Sequence, residues 1–74
     1  MSSAMTVLDR QFLEMRWRCL SLAADLDRVE RLPGGPELLQ SDKRIKELRE
    51  AISTLLVPGP NRAEKVQTIF SDKA

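Results

Sequence analysis

The chain has 74 residues, with 12 Lys and Arg against 11 Asp and Glu, for a formal charge of +1. That length holds one small domain at most, and a charge so near zero gives no overall field to draw in a polyanion or an acidic substrate. With one cysteine and no histidine, an internal disulfide and a zinc site are both excluded, so a chain this short must be stabilised by close helix packing or by association.

Two clusters of proline and glycine, PGGP at Pro33–Pro36 and PGPN at Pro58–Asn61, divide the chain into three segments. They stop helices because proline lacks the backbone donor and glycine costs backbone entropy. Between them Leu, Ala, Glu, Lys and Arg dominate, and alternating β-branched runs are missing. The expected fold is all-α: one small three-helix domain over 1–74 with a long N-terminal helix, a helical hairpin and a short C-terminal helix, assembled as a helical-bundle dimer. The helices are expected over about 6–32, about 37–57 and about 62–70.

The start MSSAMTVLDR lacks a basic leader followed by an apolar run, and no stretch approaches the ~20 apolar residues needed to cross a bilayer. A cytoplasmic protein with no membrane contact is expected. The first segment then shows the strongest pattern in the chain. Met5, Leu8, Phe12, Met15, Cys19, Leu22, Leu26 and Val29 recur at alternating spacings of three and four, a continuous heptad-type seam. A second stripe, Leu13, Trp17, Leu20 and Ala24, lies about 150° round the same helix. Charged residues fill the strips between, and Glu14 and Arg18 stand at the spacing for an i,i+4 pair.

The sequence RWRC at Arg16–Cys19 invites a nucleic-acid or a redox reading, and helix geometry answers both. Arg16 and Arg18 flank Trp17 because the neighbours of any helical residue point about 100° away from it. Cys19 has no histidine to stabilise a thiolate and lies in the apolar seam, so it reads as a small buried hydrophobe.

The second segment opens with a turn at Pro36-Glu37-Leu38-Leu39 and takes Ser41 or Asp42 as an N-cap. Its apolar seam is Ile45, Leu48, Ile52 and Leu55, with Leu56 alongside. Glu47 and Glu50 read as a solvated face paired with Lys43 and Lys46. In the third segment Asn61 and Glu64 suggest a capping box, and Ala63, Val66, Ile69 and Phe70 form a short apolar face.

Reactive sites are hard to assemble from this inventory. A calcium loop counted from Asp25 puts Glu30 where glycine is required and Pro36 where the bidentate glutamate belongs. No phosphate-binding glycine loop, nucleophile elbow or Glu-x-x-His pair is present. No enzyme activity and no cofactor are expected.

What remains is surface. A helix apolar on two opposed faces needs two partners, and a second copy is an economical source of one of them. The expected function is protein–protein interaction, chiefly self-association as a dimer or a dimer of dimers, with an unidentified protein partner as a further possibility. The residues expected to carry it are Leu13, Trp17 and Leu20, then Met5, Leu8 and Phe12, with the aliphatic stems of Arg16 and Arg18 at the rim. The alternative is a nucleic-acid-binding accessory protein using Arg10, Arg16 and Arg18 of the first helix and Lys43, Arg44, Lys46 and Arg49 of the second. Nucleic acid is disfavoured because Asp42, Glu47 and Glu50 largely neutralise the latter cluster.

Overall fold

The computed structural model describes residues 3–71. Among them are four helices, α1 (Ala4–Arg31), α2 (Gly35–Ser41), α3 (Lys43–Leu56) and α4 (Arg62–Phe70), and no strand. The chain divides into two compact units, Met1–Gly35 and Pro36–Ala74.

The first unit is built from α1, 28 residues long, which at ~1.5 Å per residue spans about 42 Å. Ser3 starts it: the Ser3 Oγ accepts the Thr6 amide at 3.1 Å, and its carbonyl accepts the Val7 amide at 3.0 Å. The cap satisfies one of the helix's first unpaired amides, so the helix begins slightly before the expected boundary. It ends because Pro33 forces the residue before it out of helical geometry. Leu32 is accordingly extended, at φ −88° and ψ 154°, while Arg28 and Arg31 place positive charge in the last turn.

The two glycines of PGGP do different work. Gly34 takes a left-handed φ of 82°, which a side chain would resist. Gly35 donates its amide to the Leu32 carbonyl at 2.9 Å and is buried against the end of α1. A Cβ there would stand 1.8 Å from the Val29 carbonyl oxygen, so no side chain fits without moving the backbone.

In the second unit, the single helix expected over about 37–57 is two helices, broken at Asp42. Asp42 is extended, at φ −71° and ψ 136°, and its carboxylate accepts the Arg44 amide at 2.8 Å. An aspartate offers the backbone this alternative to helical bonding. The ladder is nonetheless almost continuous across the break. The Asp42 amide still donates to the Leu38 carbonyl, and the Asp42 carbonyl accepts from Ile45 and Lys46. The Arg49 guanidinium then fastens α2 to α3 by donating to the Leu39 carbonyl at 3.2 Å.

Helices α3 and α4 form an antiparallel hairpin through the PGPN loop. At one end the Arg62 guanidinium donates to the Leu55 carbonyl at 3.1 Å, covering an open acceptor at the C-terminus of α3. At the other, Lys43 and Lys46 of α3 share a cleft with Ile69 and Phe70 of α4. Asn61 occupies the N-cap position of α4, but the expected capping box does not form. Its backbone is left-handed, at φ 71° and ψ 27°, and its side chain makes no capping bond. It serves instead as the turn residue, a role asparagine tolerates better than most.

The face of α3 that meets α4 carries Glu47, Glu50 and Thr54. Ala51 is the one buried apolar residue among those described, at 6% exposure. Ile45 and Leu48 are half-buried, whereas Ile52, Leu55, Leu56 and Val57 are exposed, Leu56 at 80%. The expected apolar seam is therefore turned largely away from α4.

Candidate functional site: the apolar faces of α1

No residue of α1 is buried. Its unit consists of this helix and the turn after it, so nothing within that unit can lie across either stripe. Along the long seam, Met5, Leu8, Phe12 and Met15 are exposed, and Leu22, Leu26 and Val29 are half-buried. Cys19, expected to be buried, is exposed as well. The expectation assumed that the seam was already covered.

The second stripe is more open still. Leu13 is 73% exposed, Trp17 69% and Leu20 56%. Leu13 and Trp17, with Glu14 and Arg18, line a shallow groove of about 440 Å³ along the helix. The expected pair forms, with the Arg18 guanidinium donating to the Glu14 carboxylate at 2.9 Å. It sits at one edge of the groove. Asp25 and Arg28 are likewise joined one turn before the helix ends. Arg10, Arg16 and Asp27 enter none of the ion pairs among the described residues. Both intrahelical pairs are solvated and contribute little to stability.

The structure thus places Leu13, Trp17 and Leu20 on one side of α1, with Arg16 and Arg18 beside them, and Met5, Leu8 and Phe12 on the other side. In the second unit Ile52, Leu55 and Leu56 of α3 are exposed apolar residues as well, as are Leu38 of α2 and Val57. Ile52, Leu55 and Leu56 are legible in the sequence as part of a seam, but their exposure is not; it follows from the side of α3 that α4 selects.

The basic cluster of the second unit is partly engaged. Arg44 binds the Asp42 carboxylate through Nε at 2.9 Å and Nη2 at 3.0 Å. That side-chain hydrogen bond, with the Arg44 amide next in weight, holds the Asp42 carboxyl down at about 2. Arg49 is occupied by the Leu39 carbonyl. Lys43 and Lys46 line a cleft of about 490 Å³ with Glu47 and Glu50, but the expected Lys–Glu ion pairs are not formed.

Among the described residues no group of three Cys, Asp or Glu side chains could hold a metal ion, and no helix is long and apolar enough to cross a membrane. No protein-family model, curated protein or solved structure matches the chain.

Proposed function

We propose that this chain is a non-enzymatic, cytoplasmic protein–protein interaction module that associates with itself through the apolar faces of α1, as a helical-bundle dimer able to pair further into a dimer of dimers. The observation that carries the reading is the open Leu13–Trp17–Leu20 stripe on a helix with no buried residue.

Helix formation in water begins with a costly nucleus, and most helical stability in proteins comes from covering an apolar face. Here α1 presents two such faces, with tryptophan, phenylalanine, methionine and leucine exposed. Contiguous apolar surface of this kind marks interaction sites, and tryptophan with nearby arginine is the composition enriched where interfaces hold most of their energy. A second copy brings the same surface in the same amount, and two-fold symmetry closes the assembly instead of letting it grow into a filament.

The test is sedimentation equilibrium over a wide concentration range, with Trp17 fluorescence read on the same samples. A concentration-dependent dimer with blue-shifted emission is expected. A monomer at every concentration with solvent-exposed emission refutes self-association.

A further inference from the structure

Resting on that reading, we infer that the two copies meet antiparallel through the Trp17 stripe, with the two-fold axis passing between Arg18 and Cys19 and an Arg10–Asp27 ion pair closing the interface at each end. The stripe has a matching pattern when it is read in either direction along the helix.

In an antiparallel pair of helices, each layer matches a residue on one helix with one equally far beyond the axis on the other. Laid on itself in this way, the stripe matches Leu13 with Ala24 and Trp17 with Leu20, each twice by symmetry. Large side chains therefore face smaller ones in every layer, the condition for interdigitation. One heptad step outward, on the same line of the helix, Arg10 falls opposite Asp27 of the partner subunit, at both ends. In the structure neither residue is engaged in an ion pair, whereas Glu14, Arg18, Asp25 and Arg28 are already joined within their own helix. The charges left unpaired on α1 thus include the two that this register brings together. Across the flanks, Glu14 comes opposite Ser21 and Arg16 opposite Ala23, so no like charges meet beside the tryptophan; the like-charge contact of this register, Asp9 opposite Glu30 of the partner subunit, falls at the two outer ends.

The competing arrangements fare worse. A parallel pairing on the same stripe sets Arg10 against Arg10 and Asp27 against Asp27. An antiparallel pairing on the long seam, centred between Met15 and Cys19, sets Arg16 against Arg16 and Arg18 against Arg18 across the axis. Like charges facing one another disfavour both. A parallel pairing on the seam brings Asp25 near Glu30 of the partner subunit and also sets the two Cys19 thiols face to face.

That last feature makes Cys19 a reporter. It lies about 130° round the helix from the middle of the Trp17 stripe. In the inferred dimer the two Cys19 Cα atoms are therefore about 12 Å apart, beyond the reach of a disulfide.

The experiment compares dimer dissociation constants at low salt for the natural chain, Arg10→Glu, Asp27→Arg and the doubly reversed chain, with helicity checked by circular dichroism. Each single reversal is expected to weaken the dimer about tenfold or more, and the double reversal to restore it to within about threefold, because a close charge pair is remade with opposite polarity. Mild oxidation of the natural dimer is expected to give no Cys19-linked species. Additive losses without rescue, or ready crosslinking through Cys19, overturn the antiparallel register. If Trp17→Ala still abolishes the dimer in that event, self-association through the stripe stands and only the register falls. A Trp17→Ala chain that dimerises like its parent removes both.

Discussion

Truncating Trp17 to alanine is the sharpest single perturbation, because its effect can be worked out from exposure. A tryptophan side chain buries on the order of 200 Å² when fully covered. Trp17 is 69% exposed, so roughly 140 Å² of that surface remains for a partner to cover. An alanine in its place recovers about a third, and the loss is then about 95 Å² per copy. At ~25 cal/mol per Å² this is about 2.5 kcal/mol for each copy and about 5 kcal/mol for a two-fold dimer that loses both. The dissociation constant should rise by roughly three to four powers of ten. A parent that is dimeric at micromolar concentration would become monomeric throughout the range of sedimentation equilibrium. Because covering its faces is what sustains α1, helicity should fall together with the mass. An unchanged mass with an unchanged concentration dependence would show that the stripe does not hold the copies together.

Other consequences follow from the turns and caps. Gly35→Ala should lower stability by about 1–3 kcal/mol in thermal unfolding followed by circular dichroism, since its Cβ meets the Val29 carbonyl; a midpoint equal to the parent's would show that the end of α1 yields easily. Asn61→Gly should be neutral or slightly stabilising and Asn61→Ala destabilising by about 1 kcal/mol, because the backbone there is left-handed; the same melts decide, and equal midpoints for the two variants would count against the turn geometry. Asp42 has its folded pKa depressed from 3.8 to about 2, so its contribution is present above about pH 4 and is lost as the pH falls towards 2. Asp42→Asn retains the cap but removes this titration, and should flatten the acid end of the stability profile relative to the parent; superimposable profiles would mean that the Arg44 contact is too solvated to register.

Much of the helical pattern was legible in the sequence because it depends on local chemistry. Pro33 and Pro58 mark chain breaks, Asp42 caps α3, and the Glu14–Arg18 spacing produces an ion pair. The start of α1 is harder to read, because Ser3 caps through Thr6 without the glutamate or glutamine of a capping box. The Asp42 break was harder to see as a break, since the apolar pattern runs through it and only the competition between carboxylate and backbone interrupts the helix. Side-chain chemistry marks Asn61 as a cap at the start of α4, but the residue serves there through its left-handed backbone and makes no capping bond. The largest departure concerns burial. Periodicity identifies which side chains share a face, as it did for Leu13, Trp17 and Leu20, but it does not say what covers that face. For α3 it suggested the Ile45–Leu55 seam, whereas α4 settles on the side bearing Ala51 and Thr54, where small side chains let the helices approach.

The presence of Ala51 as the only buried apolar residue among those described has a calorimetric consequence. The heat-capacity increment of unfolding scales with newly exposed apolar surface, at about 0.45 cal/mol/K per Å², and here it comes mostly from side chains that are only half-buried. A chain at high dilution should therefore melt broadly, with a shallower response to urea and a smaller heat-capacity step than the assembled protein. Covering the faces of α1 supplies the missing increment, so both the curvature of stability with temperature and the sharpness of melting should grow with protein concentration. Assembly, more than helix formation, would then give this protein a defined melting point.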